Sequence, residues 1–147
     1  GIAAIGSGGS DIAVEAALGH VWGYAVGLDM TRRDLQAWAK KGSKPWEVAK
    51  GFDHSAPISE LVPAADVAQP LTQAITLTVN GELRQSAHLS DMTWDLAHVI
   101  AELSRYFRLE PGDLIMTGTP AGVGAVVRGD LLEGAIEGIG TVVTRIV

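Results

Sequence analysis

The chain has 147 residues, 47% of them hydrophobic and 19% charged, with a formal net charge of −6 and no cysteine. One domain of that length buries about two-thirds of the surface its unfolded chain exposes, so a packed core is expected. The acidic balance argues against nucleic acid or an anionic membrane as partner, since both call for a basic face, and the lack of cysteine excludes disulfides and thiolate chemistry. No run approaches the ~18 consecutive apolar residues of a membrane-spanning helix. With no signal-peptide pattern visible, a reducing cytoplasm is the expected location.

In chain order, Ile2 to Ile5 reads as the end of a strand, closed by the turn-forming cluster Gly6-Ser7-Gly8-Gly9. Ser10 or Asp11 is placed to cap a short helix from Ile12 to Leu18, with Val14, Ala17 and Leu18 on its apolar face. Trp22 to Leu28 is apolar, with aromatic and β-branched residues, and reads as a strand. Thr31 with Asp34 three residues later has the form of a capping box and predicts a helix from about Arg32 to Ala39. Residues 40–48, KKGSKPWEV, read as a polar loop. Ile75 to Val79 alternates apolar residues with threonine and runs into Asn80-Gly81, so ITLTV and ELRQSA pair as a hairpin. From Trp94 to Phe107 the apolar residues at 96, 99, 100, 103 and 107 carry a helical period. Glu110-Pro111-Gly112-Asp113 turns the chain into the strand LIMTGT, and after a second turn at Gly129-Asp130 the tail LLEGAIEGIGTVVTRIV breaks into short extended pieces. The expected fold class is therefore mixed and β-rich (α+β), a β sandwich or rolled sheet with a few short helices in one domain over residues 1–147.

Three stretches carry residue types suited to chemistry. In GYAVGLDMTRRDLQ (residues 23–36) an apolar run ends on Asp29, and a helix starting near Thr31 puts Arg33 and Gln36 on one face just beyond it. A carboxylate, a guanidinium and an amide meeting at one strand-to-helix corner suit a hard cation such as Mg²⁺ and an anionic, oxygen-rich ligand. The structural alternative is that Asp29 favours the helix N-terminus and Arg33 pairs with Asp34 or Glu47. In PWEVAKGFD, Lys50 lies outside any charge run and is a candidate for a partly buried amine facing an anion; the alternative is a loop lysine with its stem on Phe52. In TGTPAGVG, small residues at a strand tip expose amides and hydroxyls, Thr119 among them, that suit a carboxylate; the alternative is a tight turn. This stretch is neither a P-loop nor a dinucleotide fingerprint. The histidines at 20, 54, 88 and 98 have no metal-ligand spacing, and His20 and His98 are read as structural or surface residues.

Taken together, GYAVGLDMTRRDLQ, KPWEVAKGFDHSAP, VNGELRQ, LEPGDLIMTGTPAGVG and GAIEGIGT resemble the catalytic domain of the fumarylacetoacetate hydrolase family, most closely its fumarylpyruvate hydrolase branch. The resemblance implies a mixed β roll, usually dimeric, that binds Mg²⁺ or Mn²⁺ and acts on 2,4-dioxo acids in aromatic-compound catabolism. Carried over by position, Asp29 is expected to be a metal ligand, Arg33, Gln36 and Thr119 substrate contacts, and Lys50 the active-site lysine. The implied reaction is hydrolysis of the C3–C4 bond of an acylpyruvate, fumarylpyruvate giving fumarate and pyruvate. Isomerisation or decarboxylation of a hydroxy-dienedioate or oxaloacetate at the same site is the alternative within the family. A non-catalytic binding or dimerisation module is the alternative outside it. The family's Glu-x-Glu metal motif is absent, and Gly1 begins in the middle of an apolar run, so the chain is expected to lack the N-terminal part of its domain.

Overall fold

A computed structural model describes residues 1–69 and 71–147. Two antiparallel sheets of four strands each make up the fold. The first contains β1 (Ile2–Ile5), β2 (Val21–Ala25), β3 (Val62–Pro63) and β6 (Leu114–Met116), in the order β3-β2-β1-β6. The second contains β4 (Ala74–Val79), β5 (Glu82–His88), β7 (Leu131–Ile136) and β8 (Gly140–Arg145), in the order β5-β4-β7-β8. Among the described residues four α-helices accompany them: α1 (Val14–Ala17), α2 (Arg33–Lys41), α3 (Glu47–Lys50) and α4 (Leu96–Tyr106). The β-rich α+β class expected from the sequence is what forms.

The best-defined expectations rest on strong local signals. Asn80 (φ 53°) and Gly81 (φ 81°) both take the left-handed conformation that a two-residue hairpin turn needs, and they join β4 to β5. Asp95 caps α4 by accepting a 2.9 Å hydrogen bond from the His98 amide. The helix then buries Leu96, Ile100 and Ser104 four residues apart. Ile100 is fully buried, in one continuous apolar cluster that reaches Ile5 and Ile115 of the first sheet and Leu132, Ile136 and Val142 of the second. Burying each such side chain is worth about 1.5–3 kcal/mol.

Several expectations are corrected. The first helix starts at Val14, and neither Ser10 nor Asp11 caps it: its N-cap, Ala13, makes no side-chain hydrogen bond. The physical reason is a competing partner, because the Asp11 amide donates to the Ser104 carbonyl (3.0 Å) and the Ile12 amide to the Ser104 hydroxyl (2.8 Å), tying this segment to α4 before it can turn. Leu18, expected on the apolar face, is 42% exposed. The second strand ends at Ala25 rather than Leu28, since residues 26–30 leave the sheet and pair irregularly with the 55–59 loop: Leu28 N donates to Pro57 O and Met30 N to Ser55 O. Finally, α2 begins without a capping box; its N-cap is Arg32, with no side-chain cap. The Thr31 hydroxyl that was to cap it is engaged elsewhere, by Lys50.

Of the expected polar loop, residues 40–48, Lys40 and Lys41 belong to α2 and Glu47 and Val48 to the single turn α3, and LIMTGT is strand only over Leu114–Met116. Among the described residues no helix is long and apolar enough to cross a membrane.

Candidate active site

The departure of residues 26–30 from the first sheet opens a cavity of about 600 Å³ between that segment, the second sheet and the loop after β6. Asp29, Thr31, Arg33 and Lys50 line one side, Gly118, Thr119 and Pro120 another, and Leu77 and Gly134 of the second sheet its floor. Four of the five expected site residues, from three separated stretches, therefore share one cavity. Gln36 is not among its described lining residues; it stands one turn along α2, where its Oε1 accepts a 3.0 Å hydrogen bond from Arg33. That contact orients the guanidinium.

Lys50 is the centre of the arrangement. Its ammonium donates to Asp29 Oδ2 at 2.7 Å and to Thr31 Oγ1 at 3.0 Å. Two of its three donors are used, which leaves one for a ligand. The helical turn α3 carries Lys50 into this position, with the buried Ala49 anchoring the turn and the Ala49 carbonyl accepting from the Arg32 amide at 3.0 Å. Arg33 hydrogen-bonds to Gln36 and, among the described residues, forms no ion pair with Asp34 or Glu47, while Arg32 stands over the Phe52 ring at 4.5 Å.

The electrostatics favour an anion. Arg32, Arg33, Lys50 and Arg84 line the cavity against Asp29 and Asp34, so its walls are net positive in a chain whose formal charge is −6. Low-dielectric walls concentrate that local field on whatever enters. A divalent cation needs more oxygen ligands than these residues supply by themselves. Mg²⁺ takes about six oxygen ligands, Asp29 is one carboxylate already bound to Lys50, and among the described residues no three His, Cys, Asp or Glu side chains gather.

Sequence reasoning missed Thr31 and Gln85. Thr31 sits two residues after Asp29, and its hydroxyl both receives Lys50 and donates to the Asp29 carbonyl at 3.4 Å. Reading it as a helix cap hid the closer partner. Gln85 lines the cavity and holds the Pro120 carbonyl, a contact with no signal in the linear sequence.

Comparison with known proteins places this chain in a family. The pattern described as Fumarylacetoacetate (FAA) hydrolase C-terminal matches residues 2–147. A fumarylpyruvate hydrolase of Ralstonia sp is 46% identical over 138 residues, 94% of this chain and 71% of that protein. A mitochondrial oxaloacetate tautomerase of Rattus norvegicus is 44% identical over 135 residues, 92% of this chain and 61% of its own length. Among solved structures, that of fumarylpyruvate hydrolase from Pseudomonas aeruginosa in complex with Mn²⁺ and pyruvate superposes with a TM-score of 0.96 at 54% identity, over 99% of this chain and 63% of that one. The chain thus spans between three-fifths and three-quarters of the length of these relatives, and the solved structure shares its architecture. It belongs to the fumarylacetoacetate hydrolase family.

Proposed function

We infer that the protein hydrolyses the C3–C4 bond of a 2,4-dioxo acid, an acylpyruvate, with fumarylpyruvate the favoured substrate. The observation that carries this reading is Lys50, held between Asp29 and Thr31 in a net-positive cavity that Arg33 and Thr119 share. The fumarylpyruvate hydrolases among its relatives, one of them binding Mn²⁺ and pyruvate, support it.

In this reading Arg33 and Thr119 hold substrate carboxylate oxygens, the guanidinium in the orientation that Gln36 gives it. Water adds to the C4 carbonyl. As the adduct collapses, the C3–C4 bonding electrons move into the enolate of pyruvate, which takes a proton at C3, and the C4 fragment leaves as fumarate. Lys50 places a fixed positive charge beside the developing enolate. Mg²⁺ or Mn²⁺ belongs to the proposal as an electron-withdrawing cofactor for which Asp29 offers one carboxylate. Asp29 alone does not suffice to bind it.

A second reading has support of its own in the oxaloacetate tautomerase relative: keto–enol isomerisation, or decarboxylation, of oxaloacetate or a hydroxy-dienedioate at the same place. The two separate on products. With Mn²⁺ present, the full-length protein is expected to convert fumarylpyruvate to fumarate and pyruvate in equal amounts, and Asp29→Ala in that protein to abolish this with the fold retained. Fumarylpyruvate left intact while oxaloacetate is isomerised or decarboxylated would replace the hydrolase reading by the second. Undiminished turnover in Asp29→Ala would remove Asp29 from the site.

A further inference from the structure

We propose that Gln85 is the positioning residue for Thr119, a strut that fixes the loop of residues 117–124 over the cavity. The inference rests on the reading of Thr119 as the hydroxyl that receives a substrate carboxylate.

It starts from an irregularity in β5. Val79 pairs with Glu82 and Thr78 with Leu83, but Leu77 then pairs with Gln85, so Arg84 is an extra, unpaired residue. Such a bulge re-aims side chains, because a shift of one residue moves every later side chain of the strand to the opposite face. Without it Leu77 would face Arg84, and Gln85 would point away from the core. With it, Gln85 stands in one row with Leu77 and Gly134, on the face that lines the cavity.

A long amide on that face is costly unless its polar atoms are matched. Gln85 is only 9% exposed, and its Nε2 donates to the Pro120 carbonyl at 2.9 Å. A second contact secures the same loop. Gly122 has φ +98° and lies so close to the bulge that a Cβ there would collide with the Arg84 carbonyl oxygen and meet Gln85 Cγ at 3.4 Å. Only glycine fits, and the loop rests on β5 at both Pro120 and Gly122.

Thr119 precedes Pro120, so its backbone is restricted to extended conformations, and the proline ring fixes the next φ. With the Pro120 carbonyl held as well, little freedom is left between the Gln85 amide and the Thr119 hydroxyl. Gln85 touches no reacting atom in this account; it acts through Thr119.

The test measures pyruvate binding by calorimetry in the presence of Mn²⁺, with thermal melts alongside, for Gln85→Met, Thr119→Val and the double variant. Each single variant is expected to weaken pyruvate about tenfold or more, the factor that one hydrogen bond to a charged carboxylate commands, and the double variant to be no weaker than Thr119→Val. Gln85→Asn, too short to reach Pro120, repeats the comparison should the methionine variant melt early. Multiplicative losses in the double variant would overturn the proposal, since a residue acting through Thr119 has nothing to add once that hydroxyl is gone. Wild-type affinity in both Gln85 variants beside a weakened Thr119→Val would overturn the role of Gln85 alone. Unchanged affinity in Thr119→Val, or no pyruvate binding by the unaltered protein, would overturn the reading of the site itself and the proposal with it.

Discussion

Lys50 and Asp29 form the shortest ion pair in the cavity, at 2.7 Å, yet each side chain is about one-third exposed (33% and 38%). Water near the pair screens it, so it contributes only ~0–1 kcal/mol to folding. Its role is then placement: the pair and the Thr31 hydroxyl hold the ammonium on one side of the cavity. Lys50→Gln is accordingly expected to melt within a few degrees of the unaltered protein while kcat on the dioxo acid falls about 10²- to 10³-fold, as for removal of one charge-stabilising donor. Thermal melts and steady-state kinetics check both halves, and a large loss of stability with turnover retained would make Lys50 a structural residue. Asp29 and Thr119 stood out at the ends of apolar runs, Arg33 by its helical spacing to Gln36 and Lys50 by lying outside any charge run. Thr31 and Gln85 did not, for different reasons. A threonine before a helix has two uses that look the same in sequence, and Gln85 faces inward only because Arg84 is left out of the ladder.

At the scale of elements, two turns distant in sequence lock together. Asn80, in the β4–β5 turn, donates to Asp130 Oδ1 at 2.8 Å and accepts from the Leu131 amide at 2.9 Å, while the other Asp130 oxygen accepts from the Val127 amide at 2.9 Å. Those donors, the Val127 amide first and the Asn80 side chain second, hold the Asp130 carboxyl below its ordinary 3.8. Because the folded pKa is lower than the unfolded one, the stabilisation is fully present above the unfolded value and is lost as pH falls through the folded value. Melting temperature should therefore drop below about pH 4, and Asp130→Asn should be less stable at neutral pH with a shallower drop; an unchanged acid limb would remove this clasp from the account. Sequence showed both turns, since Asn-Gly and Gly-Asp are local signals, but not that one clasps the other. Legibility of the elements follows the same rule. The hairpin and α4 carry their own turn and period, whereas α3 is four residues long and β3 two, too short for any period, and the start of α1 is decided by Ser104, some ninety positions away.

For the whole molecule, the second sheet meets residues 26–30 beneath the cavity at Gly134, and that contact links stability to the site. A Cβ on Gly134 would stand 3.0 Å from Leu28 Cδ2, 3.3 Å from Val142 Cγ1 and 3.5 Å from Val26 Cγ1, so the strand β7 packs directly under the segment that ends in Asp29. Two effects oppose each other in Gly134→Val. Strand propensity favours valine by up to about 1 kcal/mol, while forcing a larger side chain into a filled interior costs about 1–3 kcal/mol. The nearest atom is the tip of a flexible leucine, which can give by a few tenths of an ångström, so alanine should be nearly neutral and valine net destabilising by about 1–2 kcal/mol. The strain has one direction in which to relax, toward residues 26–30, because on the other side Gly134 is paired to Leu77 and Val142 within the sheet. Gly134→Val is thus expected to weaken pyruvate binding and slow turnover in addition to lowering the denaturant midpoint, while Gly134→Ala keeps all three. A valine variant that unfolds early but binds pyruvate with undiminished affinity would show that the floor of the cavity and the Asp29 segment move independently.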